Sequence, residues 1–268
     1  MINNEIEYDG YAKFWEMIYK NKQDDFPFYL SLAKKYGNPI LDIGCGTARI
    51  GLLLAKGKYE VYNLDISKEM LALGQKKAQG NHSILQNYHF VNQDMRSFRI
   101  DKKFRLIIST FSTMFSLKTI EDFEKVTNSV VIHLAKGGVF AFDVTFFGKG
   151  KYKSWGARTV EDNSPRLMKV VDDPDERNKK WIYTRIVEVN EKKHTRKIIA
   201  FFDGVKNNIV EERRIFELTN IYLSPDEIIT VLKSSGFRSI KIFGGFDMKP
   251  LYHPAYKGKQ RQIVIARI

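Results

Sequence analysis

The sequence predicts an α/β fold, a mostly parallel sheet with helices on both faces, interrupted by an inserted antiparallel β lid. Three observations predict it. Between residues 38 and 144, short β-rich apolar runs alternate with longer stretches of helical period, the pattern of parallel strands joined by crossover helices. From 168 to 222 helical period is absent and extended, β-branched runs follow one another. After 224 a capped helix and two further apolar runs resume the first pattern.

Taken in order, the residues Tyr8, Tyr11, Phe14, Trp15 and Tyr19 are spaced as on one helix face. Strands are then expected at 39–43, 60–64, 88–92, 105–110 and 138–143, with helices at 50–55, 67–79 and 120–135. Ser67 is a natural N-cap, because its hydroxyl can accept from an orphan backbone N–H of the first turn. Lys136-Gly137-Gly138 reads as the stop that turns the last of these helices into the fifth strand. Residues 148–155, rich in Gly and Lys, read as a connector. Lid strands are expected at 181–190, 196–205 and 209–218, with turns at Glu191-Lys192-Lys193 and Lys206-Asn207-Asn208. Ser224-Pro225-Asp226-Glu227 opens a helix with proline in its first turn, Gly236 closes it, and strands at 238–243 and 261–268 bring the main sheet to seven. The expected division is a core of 1–147 with 224–268, and an insertion of 148–223.

A chain of 268 residues with 43% apolar and 28% charged residues can bury a sizeable core and falls outside the disordered and membrane classes. Its polar, acidic start lacks the order of a secretory signal, and the longest apolar stretch, 138–147, is interrupted by Asp143 and is about half of what a bilayer needs. A cytoplasmic location is expected, in keeping with the lone Cys45. The 44 Lys and Arg against 31 Asp and Glu give +13, but the signs are interspersed except after Asp247, where Lys249, Lys257, Lys259, Arg261 and Arg267 meet no acid. A solvated surface and a polyanion site both account for that tail.

The strongest local signal is Leu41-Asp42-Ile43-Gly44-Cys45-Gly46-Thr47-Ala48, a strand entering a glycine turn that opens a helix. Gly44 and Gly46 permit tight backbone geometry and let a ligand approach the main chain. Asp65 ends the next strand, where an acid in nucleotide-binding α/β folds accepts from ribose hydroxyls. Asp94-Met95 follows the third strand and Ser109-Thr110-Phe111-Ser112-Thr113 the fourth. Open α/β sheets bind ligands beyond the carboxyl ends of their strands, so these four polar ends describe one site.

This set of residues resembles the ordered motifs of class I S-adenosylmethionine-dependent methyltransferases over about residues 8–144, and implies their Rossmann-like fold. The run Phe111-Ser112-Thr113, the β insertion and Gly245-Phe246-Asp247 before a basic strand resemble small-molecule methyltransferases, including nucleotide-sugar N-methyltransferases. The resemblance implies that Gly44 and Gly46 face the methionine part of S-adenosylmethionine, with Asp42, Cys45 and Thr110 in the same site. It implies that Asp65 holds the ribose, Ile66 packs on the adenine, Asp94 reaches its exocyclic amine and Met95 covers the ring. Ala48 stands where the commonest pattern has a third glycine. A dinucleotide fingerprint would need glycine at Arg49. The aromatic helix either packs on the core or caps the cofactor, with Tyr11 or Tyr19 at the methionine end or the substrate.

Methyl transfer from a sulfonium relies on alignment and dehydration, so a dedicated base is optional. Ser116 and Asp143 are the candidates to take a proton from an amine acceptor. In the lid, Trp155, Trp181 and Tyr183 with Arg158, Arg166 and Arg185 are candidates for an apolar wall and anion-binding forks, although strand alternation alone also accounts for them. Scattered histidines and a single cysteine predict no metal site. The expected reaction is N- or O-methylation of a small-molecule acceptor, by a monomer or homodimer and away from membranes. Two alternatives stay open: an RNA methyltransferase, favoured by the charge but without an Asn/Asp-Pro-Pro-aromatic run after the fourth strand, and a non-catalytic cofactor-binding protein.

Overall fold

The computed structural model describes residues 8, 10–79, 82–145, 164–251 and 261–268. Two helices, α1 (Ala12–Tyr19) and α2 (Phe26–Tyr36), precede the sheet. The alternation then runs β1 (Ile40–Ile43), α3 (Arg49–Lys56), β2 (Val61–Asp65), α4 (Lys68–Ala78), the short α5 (His82–Leu85), β3 (Tyr88–Asn92), β4 (Phe104–Ser109), a 3₁₀ turn (Thr113–Phe115), α6 (Ile120–His133) and β5 (Leu134–Thr145). The lid strands are β6 (Arg166–Asp172), β7 (Lys179–Asn190), β8 (Thr195–Lys206) and β9 (Ile209–Ile221); α7 (Pro225–Ser234), β10 (Ser239–Phe243) and β11 (Arg261–Arg267) complete the chain.

The seven-stranded sheet has the order β10-β11-β5-β4-β1-β2-β3, and β6-β7-β8-β9 form a separate antiparallel sheet. In the large sheet β11 is antiparallel to both neighbours and the other pairings are parallel. The order reverses at β1, so its carboxyl end, carrying Gly44 and Gly46, opens at the switch point where such sheets bind ligands.

Strand alternation explains the two layers of helices. Leu41, Ile43, Ile107, Phe140 and Phe142 point to the face covered by α6 and α7. Ile40, Leu106, Ile108, Val139 and Ala141 point to the face covered by α2, α3 and α4. Ser67 caps α4, accepting from the Met70 N–H at 3.2 Å, and Ser224 and Glu227 form a reciprocal capping box at α7.

Three expectations on element boundaries change. The strand expected to begin at 138 begins at Leu134, which pairs with Phe104 ahead of a register shift; Gly137, with φ of 72°, lies inside β5 and does not end α6. The lid has a fourth strand, β6, whose exposed residues carry no burial alternation to reveal it. Helix α2 was not expected; Pro27 sits in its first turn, and its Phe28, Tyr29 and Leu32 are buried. The β8–β9 turn is a two-residue one, with Asn207 and Asn208 at φ of 50° and 63°, the left-handed pair a tight hairpin requires.

Helix α1 joins the two sheets. Phe14 lies 4.8 Å from Trp181 and 4.5 Å from Phe202, centroid to centroid, and Tyr11 lies 4.9 Å from Phe216. Each such buried ring contributes about 1.5–3 kcal/mol, so the aromatic spacing read in the sequence fastens the lid to the core.

Candidate functional site

Beyond the carboxyl ends of β1, β2, β3 and β4 lies a cavity of about 670 Å³, roofed by α1 and the inner face of the lid. Its floor is the glycine turn. Asp65 accepts from the Gly46 N–H at 2.7 Å through one oxygen and from the Ser67 N–H at 3.0 Å through the other, so one carboxylate fixes both the turn and the start of α4. Gly44 has φ of 62°, and a Cβ there would lie 2.1 Å from the Thr113 side chain, whose hydroxyl donates to the Gly44 carbonyl at 3.1 Å. Only glycine allows the β1 and β4 ends to meet so closely.

Asp42, two residues before the turn, is fully buried and does not line the cavity. Neither carboxylate oxygen has a hydrogen-bond partner, and burial drives its pKa well above the usual carboxylate value. Burial likewise pushes the Cys45 thiol up, which removes thiolate chemistry although Cys45 lines the cavity.

Ile66, Asp94, Met95 and Thr110 line the cavity, as does Arg96. Burial raises the pKa of Asp94, but its hydrogen bonds with the Arg96 guanidinium and backbone N–H overcome this and hold it below the ordinary value. Tyr11 and Tyr19 both reach the cavity wall. Tyr19, Trp15 and Phe111 form a mutual ring cluster with centroids 4.5–5.1 Å apart. Phe111 and Ser112 both have positive φ, 58° and 66°, a strained non-glycine pair of the kind that gathers at binding sites.

The two candidate proton acceptors part company. Ser116 lines the cavity, its hydroxyl donating to the Thr113 carbonyl at 2.7 Å. Asp143 does not line it: 1% exposed, it is ion-paired with Arg261 and accepts from the Tyr29 hydroxyl at 2.6 Å and the Phe111 N–H at 2.8 Å. Its carboxylate therefore organises the loop after β4 and is turned away from the reaction space. Of the lid candidates, Arg185 lines the cavity, whereas Trp155 and Arg158 lie outside the described residues.

Sequence reasoning did not single out the cluster that ties α1 to the glycine turn. Glu16 accepts from the Thr47 hydroxyl at 2.6 Å and from Lys77 at 3.0 Å, and Lys77 also donates to Thr47 at 3.0 Å. Nor did it foresee the partner of Arg49, a two-pronged bond to Asp25 at 2.6 and 2.7 Å. A charge at one helix position and its partner some tens of residues away leave no local pattern. Among the described residues no group of three or more His, Cys, Asp or Glu is placed to hold a metal ion, and no helix is long and apolar enough to cross a membrane.

Comparison with known proteins agrees with this geometry. Residues 40–138 match a family model described as a methyltransferase domain. The chain is 31% identical over 139 residues to YqeM of Bacillus subtilis (strain 168), provisionally named a methyltransferase, covering 51% of this chain and 55% of that one. It is 29% identical over 129 residues to dTDP-3-amino-3,4,6-trideoxy-alpha-D-glucopyranose N,N-dimethyltransferase of Streptomyces venezuelae, covering 48% and 52%. The chain thus spans about half the length of the curated relatives it matches. The fold extends further: a crystal structure of an S-adenosylmethionine-dependent methyltransferase from Clostridium acetobutylicum ATCC 824 superposes with a TM-score of 0.74 at 18% identity, over 97% of this chain and 98% of that one.

Proposed function

We propose that the chain is an S-adenosylmethionine-dependent methyltransferase that acts on a small-molecule acceptor, at nitrogen or oxygen. The observation that carries this reading is the cavity that runs unbroken from the Asp65-braced glycine turn to the inner face of the lid, room for a cofactor and an acceptor together. The residues suit the cofactor. The glycine cradle, on the cavity floor, admits close approach of an amino-acid end to the main chain. Ile66 and Met95 offer apolar surface for a purine, and Asp65 and Asp94 offer acceptors for hydroxyl and amino donors. The N,N-dimethyltransferase relative acts on an amino sugar by its name, which favours an amine acceptor among the alternatives.

S-adenosylmethionine supplies an electrophilic methyl group on a sulfonium. The chain aligns and dries the site: Trp15, Tyr19 and Phe111 wall off water at the glycine turn, and the Ser116 oxygen, its proton committed to the Thr113 carbonyl, can accept a hydrogen bond that orients the acceptor's nucleophilic atom.

Calorimetric titration with S-adenosylmethionine and S-adenosylhomocysteine tests the reading. Micromolar binding is expected, and Asp65→Ala is expected to weaken it at least about tenfold, because two backbone N–H groups lose a charged acceptor. Failure of the intact chain to bind either compound would overturn the proposal. The α1 cluster gives a milder expectation. Glu16→Ala is expected to raise the KM for S-adenosylmethionine about three- to tenfold, with kcat within twofold, since it loosens the roof without touching the acceptor. An unchanged KM would show that the cluster does not hold α1 over the cofactor.

A further inference from the structure

We propose that the chain forms a homodimer through the outer edge of the lid sheet, β9 of one copy pairing antiparallel with β9 of a second about a two-fold axis at Ile215; this goes beyond the methyltransferase reading and stands without it. Among the described residues β9 ends the order β6-β7-β8-β9, so it is paired on one side, with β8, and every second residue turns its backbone N–H and C=O outward. The opposite edge, β6, is blunted by a register shift between Leu167 and Lys169, in the body of the strand. In β9 the shift lies near the start, opposite Gly204 and Val205, and the strand pairs regularly with β8 from Glu212 to Ile221. Ile215 stands within that regular stretch and is 54% exposed.

Phe202 and Phe216 pack on α1 and define the inner face of the lid, so Arg213, Ile215 and Glu217 lie on its outer face. A two-fold axis between antiparallel strands sets each residue opposite one of the same face, and it therefore passes through a residue position. With the axis at Ile215, that side chain meets its own copy, Arg213 meets Glu217 on both sides of it, and on the inner face Arg214 meets Phe216. Moving the axis by one residue loses the match. At 214 it sets Arg214 against its own copy; at 216 it leaves Arg213 opposite Thr219 and Glu217 opposite Ile215. Opposite charges across a strand pair stabilise it and like charges destabilise it, so β9 selects itself as partner, and in one register.

The charges concerned are already paired within the chain, and the joint extends those pairs without breaking them. Arg213 donates to Asp203 at 2.5 and 2.9 Å with its guanidinium over the Phe201 ring, and Lys197 lies 2.9 Å from Glu217. The Arg213 and Glu217 side chains are nonetheless 56% and 57% exposed. Across the joint the signs alternate: Asp203 and Arg213 of one copy, then Glu217 and Lys197 of the other. Between the two charged rows Phe201 and Ile215 lie in register, and the joint continues them into Ile215 and Phe201 of the second copy, which covers apolar surface that the single chain leaves in water.

The test is sedimentation equilibrium of the full chain at low salt, over about 1–100 µM, where a reversible monomer–dimer equilibrium is expected. Arg213→Glu and Glu217→Arg each set like charges opposite one another at both ends of the joint, and each alone is expected to raise the dissociation constant at least about tenfold. Mixed in equal amounts, the two variants again offer opposite charges at both ends, and the mixture is expected to associate to within about threefold of the parent. Ile215→Lys, which puts two ammonium groups on the axis, is expected to weaken the dimer at least about tenfold as well. Circular dichroism matching the parent shows that the variants fold. A parent chain that stays monomeric throughout, a parent dimer that the single variants leave unchanged, or a mixture no more associated than its parts would overturn the β9 joint. None of these outcomes bears on S-adenosylmethionine binding, so the methyltransferase reading stands or falls separately.

Discussion

Replacing Arg261 with leucine is expected to destabilise the protein by about 3–5 kcal/mol, the cost of stranding a buried carboxylate without its counter-charge. Asp143 is 1% exposed, and Arg261 is its cationic partner. Tyr29 and Phe111 donate neutral hydrogen bonds to it, but they supply no charge, and burial raises the Tyr29 hydroxyl so that it stays protonated. Arg261 also donates to the Ser112 hydroxyl at 3.0 Å, so its loss frees the positive-φ turn at Phe111 and Ser112 as well. Urea unfolding at neutral pH measures the effect. The double variant Asp143→Asn with Arg261→Leu is expected to recover part of the loss, because the stranded charge is gone while Tyr29 and Phe111 keep an acceptor. A single variant that loses under 1 kcal/mol, or a double variant no better than the single, would show that the carboxylate finds water or another partner.

That pair also marks where the sequence stops being legible. The glycine turn, Asp65 and Asp94 follow their strands directly, so the β/α alternation alone brings them to one edge of the sheet. The aromatic spacing of α1 is similarly local, and it identified a helix before anything showed that both sheets lean on it. Asp143 and Arg261 are 118 residues apart and meet only because β11 inserts antiparallel beside β5. From the sequence Asp143 is a polar strand end like Asp65; the arrival of Arg261 turns it from an exposed candidate into a structural anion. The lid was legible as β structure, because its runs are β-branched, but not which face looks inward. That follows from which side packs against α1, and it puts Arg196 and Asn220 on the cavity wall beside Arg185. Edge strand β6 was missed for the related reason that a mostly exposed strand has no alternation to display.

Asp42→Asn is expected to stabilise the protein increasingly as pH rises, while leaving its hold on S-adenosylmethionine nearly unchanged. Burial raises the carboxyl pKa; the Arg49 charge lowers it, and the nearby Asp65, Asp25 and Asp143 raise it again, leaving it well above the ordinary 3.8. The sign follows from linkage. The unfolded chain ionises near 3.8 and the folded chain only at higher pH, so the contribution of Asp42 is fully present below 3.8 and declines by about 1.4 kcal/mol per pH unit as pH rises towards the folded value. An amide has no such titration. It also carries donors for the Asn63 side-chain oxygen, which lies in register on β2 and likewise lacks a partner. Urea midpoints of parent and variant are therefore expected to diverge as pH is raised from 4 towards 8, the variant being the more stable. Asp42 does not line the cavity, so S-adenosylmethionine affinity at pH 8 is expected to stay within about twofold of the parent. Parallel pH profiles would mean that the carboxyl is ionised or hydrated in the folded chain, and a loss of affinity of about tenfold would mean that it reaches the ligand. Diverging profiles with unchanged affinity would identify Asp42 as a buried carboxyl that costs stability beneath the glycine turn without touching the ligand, a cost of the kind that natural chains carry close to their binding sites.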